Sequence, residues 1–366
     1  MSEEKNYDLQ AGENRLIPAP ALDYRPPRPK SYRPKIGLIA CGGITRHHVS
    51  AYRKSGWDVV ALCDKDLDRA RERQKTFPDA DLYDDHRKLL ARDDVDVVDI
   101  ALHPEPRAAV IEDALRAGKH VLSQKPFVLD LEVGARLADL ADRQGLKLAV
   151  NQNGRWAPYV RYAKAAIDEG LLGDVQSVAI SINWDHTWCQ GTEFEKIRHL
   201  ILYDFAIHWI DMAQLFFAGQ TARAAFAAAV PAPNQQMNPP MIASAQAAYP
   251  NGLATLHFDG HSRRGPEERL LVVGSKGTYR AAGGVCSCDR LSLFSEAGES
   301  RPQLEGSWFD DGFVGSMGEL LRAIEDDRLP ENAARSNLES LKLCFALLRS
   351  ADTGQPCDPA KAASGR

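Results

Sequence analysis

The chain has little cysteine, no excess of basic charge and no long apolar run, and each lack removes a class of function. Its seven cysteines among 366 residues are an odd number without any CxxC pair, so neither a disulfide scaffold nor a thiolate-rich zinc module is expected. Cys41, Cys63 and Cys344 stand among apolar residues and read as buried thiols of a cytoplasmic protein. Cys286-x-Cys288 has no nearby histidine pair, which makes a poor zinc site, and no metal is expected. Lys and Arg total 45 against 50 Asp and Glu, a net charge of −5; without a basic footprint, nucleic acid is not an expected partner. No apolar stretch is long enough to span a bilayer, and the acidic opening MSEEKNYDLQ carries no apolar targeting run. What is there is a globular composition, 44% hydrophobic and 26% charged, in a chain of a length that suggests two domains.

From Lys35 the pattern alternates between short apolar strands and helix-forming segments. KIGLIA, DVVALCD, VDVVDIAL, KHVLSQKP and KLAVNQN read as strands, with LDRARERQKTF, EPRAAVIEDALRAG and LEVGARLADLADRQG as helices between them. Such alternation predicts a parallel sheet with helices on both faces, an α/β Rossmann-type domain over residues 35–153. After Ala165 the rhythm changes to strands joined by turns (VQSVAISINW, MIASAQAAY, GLATLHFDG, RLLVVGSKGTYRA, RLSLFSE), with one helix at residues 200–217 and two at the end. Residues 154–366 therefore form an α+β domain with a large, mostly antiparallel open sheet, whose last helices are expected to pack back on the first domain. Residues 1–34, with Pro18, Pro20, Pro26, Pro27, Pro29 and Pro34, read as an arm that cannot be helical, either a loose tail or a wrap around a neighbouring subunit or a ligand cleft.

Three places carry chemistry. KIGLIACGGIT runs from a strand through Gly42 and Gly43 into a helix, and Asp64, 64 − 40 = 24 residues after Ala40, ends the next strand. That spacing suits a dinucleotide: Gly42 lets backbone N–H groups approach a pyrophosphate at a helix N-terminus, and the carboxylate meets the ribose hydroxyls. Ala40 stands at the first glycine position, tolerable if it keeps negative φ. Lys125 follows the strand HVLSQ and precedes Pro126, which puts a cation at the carboxyl end of a parallel strand, beside a peptide bond that can be cis. On the helix at 200–217, Asp204, His208 and Asp211 fall at i, i+4 and i+7 on one face, where two carboxylates would orient the imidazole and raise its pKa towards neutrality.

Taken together these motifs resemble the oxidoreductase family named for glucose-fructose oxidoreductase, inositol dehydrogenase and the rhizopine catabolism protein MocA. The resemblance runs from Lys35 to Pro359. Ala40-Cys41-Gly42-Gly43-Ile44-Thr45 matches its Gly-rich turn, and Gly118 to Pro126 matches its Glu-Lys-Pro segment with Gln124 in place of the usual glutamate. Asp204-x-x-x-His208-x-x-Asp211 matches its substrate-domain signature, and Arg349 to Pro356 its closing motif. The resemblance implies a dehydrogenase using NAD, with Asp64 disfavouring the 2′-phosphate of NADP although Lys65 is adjacent. The cofactor would also meet Lys65, Leu102, His103, Gln124, Lys125 and Asn153. Lys125, Asp204 and His208 would surround a carbinol of a sugar, sugar derivative or cyclitol: His208 as base, Lys125 stabilising the developing alkoxide, Asp204 orienting. Lys125 as base is the alternative, and the loss of a neighbouring carboxylate at Gln124 bears on its protonation. Trp184, His186 and Trp188, joined by Arg155, Trp156, Arg198 and His199, are the expected substrate contacts. A homodimer or homotetramer through the C-terminal sheet is expected. Two rival readings remain: redox-neutral glycoside cleavage with a tightly held cofactor, and a non-catalytic nucleotide or sugar sensor.

Overall fold

Six strands form the first sheet: β1 (Lys35–Ile39), β2 (Asp58–Cys63), β3 (Asp81–Tyr83), β4 (Val97–Ile100), β5 (His120–Ser123) and β6 (Leu148–Val150). The computed structural model describes residues 15–217 and 219–365; the first part of the arm and Arg366 lie outside them. All neighbours are parallel, in the order β3-β2-β1-β4-β5-β6. The direction of winding reverses between β1 and β4, so the carboxyl ends of these strands border the crevice where doubly wound sheets take ligands. Burial on both faces explains the unbroken apolar runs, and every residue of VVDI in β4 is buried.

The second sheet has eight strands: β7 (Val175–Asn183), β8 (Ala224–Val230), β9 (Ile242–Tyr249), β10 (Gly252–Asp259), β11 (Glu267–Gly274), β12 (Thr278–Gly284), β13 (Ser287–Ser295) and β14 (Gly298–Ser300). Their order is β14-β13-β12-β11-β7-β10-β9-β8, antiparallel apart from the β7 and β10 pair. The segment RLLVVGSKGTYRA is a hairpin rather than one strand. Gly274 and Gly277 let it turn, since a Cβ on either would strike the carbonyl oxygen of Leu172 or Leu171. β8 is an alanine-rich segment with no strand signal of its own; alternate alanines, Ala225 and Ala227, are buried against the helix Ala334–Thr353 side of the sheet, and pairing with β9 decides its state.

Two long-range features close the molecule. The helix Trp308–Glu325 lies on the first sheet, where Phe313, Met317, Leu320 and Leu321 share a core with Ile36, Leu38, Tyr52, Trp57 and Leu62. Over residues 15–34 the arm follows its own chain. Ile17 N–H donates to Glu299 O (2.8 Å) at β14, and the backbone N–H groups of Lys30, Ser31 and Tyr32 donate to the Glu325 carboxylate at 2.7, 2.6 and 2.9 Å. These donors pull the Glu325 carboxyl down to about 2. Among the described residues no helix is long and apolar enough to cross a membrane.

The turn after β1 departs from expectation. Ala40 has φ of 71°, in the left-handed region that glycine tolerates and other residues occupy at a cost. Its N–H donates to Cys63 O (2.8 Å) and Cys41 N–H to Asp64 Oδ2 (2.7 Å), which holds the backbone there. Left-handed geometry costs a side-chain-bearing residue about 1–2 kcal/mol, partly offset in a glycine variant by a more flexible unfolded chain. Ala40→Gly is therefore expected to stabilise the protein by about 1 kcal/mol in urea or thermal melts; a lower midpoint would show that the turn stores no strain.

Candidate active site

The cradle at the end of β1 is built from backbone. Neither Gly42 nor Gly43 has a positive φ, and a Cβ built on either meets no atom within 4 Å. Neither conformation nor internal packing requires glycine there, which leaves close approach of a ligand as the physical reason for it. The helix Thr45–Ser55 that follows has no side-chain cap at its N-terminus; Thr45 N–H and His47 N–H turn back onto Gly42 O (3.2 Å) and Ile44 O (3.0 Å), and the positive end of the helix dipole faces the cradle. Thr45 Oγ1 donates to Gly42 O (2.6 Å), and Arg73 Nε donates to Thr45 Oγ1 (3.0 Å). Asp64 accepts from Cys41 N–H and, through Oδ1, from Asp66 N–H (2.9 Å), while Lys65 beside it is exposed. Cys41 points inward, its thiol pushed up to about 12, chiefly by burial. An uncapped helix start, two sterically unneeded glycines and a carboxylate on the neighbouring strand fit a dinucleotide.

Lys125 lies after β5, where the Lys125–Pro126 peptide is cis. Its Nζ donates to the carbonyl of Asp204 (2.8 Å) and to Asp204 Oδ1 (3.2 Å). The carboxylate missing at Gln124 is thus supplied from the other half of the molecule. Gln124 instead accepts the Lys125 backbone N–H at Oε1 (2.8 Å). Arg107, which the sequence did not single out, is buried and donates to the carbonyls of Leu102, Lys125 and Pro126. Burial lowers its guanidinium to about 10. One side chain therefore ties the loop after β4, bearing Leu102 and His103, to the Lys125 turn. The His103 ring is 6.3 Å from that of Phe194.

The helix expected at 200–217 is two pieces. Ile201–Phe205 is a π-helical turn, closed by Ala206 N–H donating to Ile201 O (2.7 Å), and the α-helix Ile207–Phe216 follows. The π turn removes the common face. Asp204 goes to Lys125, whereas Asp211 is buried and receives Arg155 Nε (2.6 Å), Arg155 Nη2 (2.7 Å) and Ser340 Oγ (2.7 Å). The expectation that two carboxylates flank His208 and raise its pKa is therefore corrected. Burial first, then the charge of Lys125, hold its pKa well below 6.5, so the ring is neutral at pH 7. Its Nδ1 is buried without a hydrogen-bond partner. Trp308, also not anticipated, stands edge-on to the His208 ring at 5.6 Å and 87°, while its Nε1 donates to Asn153 Oδ1 (3.0 Å).

The segment after β7 supplies an aromatic wall. The ring of His186 lies 5.3 Å from Trp184, 5.1 Å from Trp188 and 4.5 Å from Phe205. His186 is 3% exposed and both its nitrogens lack partners; burial lowers its pKa to about 4. Trp188 is 56% exposed. The other expected substrate contacts lie elsewhere. Arg155 is consumed by Asp211, Trp156 is core packed on Gly315, and Arg198 and His199 both pair with Asp352 at 2.7 Å. Asn153 is buried and held by Trp308. The structure thus brings Lys125, Asp204, His208 and the 184–188 wall together, leaves Arg155 and Trp156 as buried framework, and places His199 and the exposed Arg198 against Asp352.

Two family models match the chain: residues 34–152 match "Oxidoreductase family, NAD-binding Rossmann fold" and residues 160–280 match "GFO/IDH/MocA C-terminal domain". A D-apiose dehydrogenase of Paraburkholderia graminis is 26% identical over 338 residues, covering 88% of each chain. Among solved structures, an oxidoreductase from Agrobacterium radiobacter in complex with NAD+, L-tartaric acid and magnesium superposes with a TM-score of 0.79 at 21% identity, over 90% of this chain and 99% of that one. The scyllo-inositol dehydrogenase of Lactobacillus casei with bound NAD(H) and scyllo-inositol gives 0.76 at 20% identity, over 90% and 100%. At that identity the two structures speak for the fold, and the fold, the cradle and both matched domains agree: the chain belongs to the Gfo/Idh/MocA family of NAD-binding oxidoreductases.

Proposed function

We propose that the chain oxidises a secondary hydroxyl of a sugar, sugar derivative or cyclitol, with Lys125, Asp204 and His208 as the reacting constellation. The observation that carries this is the Lys125 to Asp204 contact beside a neutral His208, at the carboxyl end of β5. NAD held by the cradle supplies the hydride acceptor. Lys125 Nζ, a donor fixed by Asp204, stabilises the oxygen on which negative charge develops. His208 is in its proton-accepting form at neutral pH and takes the hydroxyl proton. Its unpartnered nitrogen and those of His186 offer donor and acceptor capacity that a polyhydroxylated ring satisfies, and Trp184 and Trp188 offer flat apolar faces. Asp64 opposes a 2′-phosphate, favouring NAD over NADP. The seven cysteines are all free, which suits a reducing cytoplasm.

Screening the protein against sugars, glycosides and cyclitols with NAD and NADP, following reduced nicotinamide and glycoside cleavage in parallel, identifies the substrate. With it, Lys125→Ala and His208→Asn are each expected to lower kcat/KM by about 10²-fold or more. If both stay within about twofold of the parent, the assignment is wrong. Because His208 acts as a base, kcat/KM falls as pH drops through its pKa. That limb lies below the ordinary value of about 6.5, with none from this group between about pH 6.5 and 8. A limb near pH 7 or above that disappears in His208→Asn would contradict the role.

We also propose that copies of the chain associate through the outer face of the large sheet. A groove of about 520 Å³ there is lined by small side chains such as Ala179, Ser181, Ser244 and Thr255, and Phe226, Val230 and Leu253 on the same sheet are exposed. Light scattering is expected to give a multiple of the 40.3 kDa chain mass, reduced by Leu253→Arg; a monomer at micromolar concentration would refute it.

A further inference from the structure

Behind Lys125 runs a chain of buried polar groups that the reaction above does not use. Gln124, His48 on the helix Thr45–Ser55, Asp99 on β4 and Asn151 after β6 are all buried. Gln124 Oε1 accepts the backbone N–H of Lys125 (2.8 Å). A backbone amide can only donate, so this contact orients the side-chain amide and turns its NH₂ toward His48 Nε2, 3.4 Å away. Asn151 Nδ2 lies at 3.4 Å from the same ring nitrogen. With amide donors facing it, His48 Nε2 presents its lone pair and the ring proton sits on Nδ1. That nitrogen is 2.6 Å from Asp99 Oδ2, which also accepts the Tyr52 hydroxyl at 2.6 Å.

We propose that Gln124 is a positioning residue that holds His48 as the neutral Nδ1–H imidazole, and that this fixed hydrogen-bond direction anchors the backbone from which Lys125 projects. A glutamate substituted at this position would accept the Lys125 N–H equally well but would turn a second carboxylate oxygen toward His48 Nε2. The ring would then bind one proton from solvent and bridge the introduced carboxylate and Asp99 as an imidazolium. One negative charge is added with the glutamate and one positive charge with the proton, so the cluster keeps its net charge. The groups facing His48 are Asp99 from β4, Tyr52 from its own helix, Gln124, Asn151, and the Phe313 ring at 4.7 Å from helix Trp308–Glu325, with His47 beside it near enough to interact by charge. The consequence for Lys125 rests on the function proposed above; the charge state of His48 does not.

The test needs neither substrate nor turnover. In full-length protein labelled with ¹⁵N-histidine, His48, assigned by the signal lost in His48→Gln, is expected to show the neutral Nδ1–H pattern at pH 7. In Gln124→Glu the same ring is expected to be an imidazolium at pH 7. The second readout is melting temperature from about pH 5.5 to 8.5 for the parent, Gln124→Glu and Gln124→Met. In the glutamate variant the folded His48 pKa lies above the unfolded value of about 6.5, so the stabilisation is present below that pH and lost as pH rises through the folded pKa. The deficit of Gln124→Glu relative to the parent therefore widens by a few degrees on going alkaline, whereas that of Gln124→Met stays constant. An imidazolium or Nε2–H ring in the parent, or a glutamate deficit independent of pH, overturns the proposal.

Discussion

The contact between Lys125 and Asp204 is the one on which the site depends, because its two ends belong to the two sheets' separate frameworks. Lys125 extends from the end of β5, and Asp204 comes from the π turn ahead of the helix Ile207–Phe216. Both side chains keep some solvent contact, 17% and 20%, so as a source of stability the pair is worth about 1 kcal/mol or less. Its value is positional. Arg107 grips the Lys125 turn through the carbonyls of Lys125 and Pro126 and ties it to Leu102, and the Lys125 ammonium in turn helps keep His208 unprotonated. In the function proposed above, a cation next to a neutral imidazole divides the labour between a group that steadies the oxygen and one that takes the proton.

Buried polar groups around the cleft fall into two kinds. Glu268, although without a cationic partner and pushed up in pKa by burial, receives the Tyr159 hydroxyl (2.6 Å), Trp209 Nε1 (2.8 Å) and Cys286 N–H (2.8 Å). Asp211 is likewise surrounded by Arg155 and Ser340. Such groups are satisfied and stiffen the frame. His186 and His208 keep unmet hydrogen-bonding capacity at the cleft. An unmade hydrogen bond is costly in a dry site, so a substrate hydroxyl that reaches these nitrogens gains more than it would on an exposed surface.

The parallel strands and the places of Asp64 and Lys125 at strand ends are legible because each leaves a local mark, an apolar run or a turn residue, and Asp204 and His208 stand out as polar residues in an apolar segment. What was not legible depends on partners distant in sequence. Asp211 looks identical to a catalytic carboxylate until Arg155 is seen against it, and nothing in LILYDFAIHW announces a π turn that redirects Asp204. Arg73, Arg107 and Trp308 sit in ordinary helical segments; only the fold brings them to the cradle, the Lys125 turn and the His208 ring. Ala40 shows the limit from the other side. Its backbone angle is set by bonds to the next strand, and no residue beside it betrays a left-handed turn.

The helix Trp308–Glu325 has a consequence for how the chain is made. Its Phe313, Met317, Leu320 and Leu321 complete the core against Ile36, Leu38 and Trp57, which emerge from the ribosome more than 250 residues earlier. Until that helix is synthesised, this face of the first sheet is covered only in part, by Val49, Ala51 and Tyr52 of the helix Thr45–Ser55 and by Ala70. The nucleotide-binding half is thus a poor candidate for an autonomous folding unit during translation, despite its local βαβ rhythm. A nascent chain stopped before residue 308 would expose that face to chaperones, and the arm, anchored on Glu325, would be among the last segments to settle.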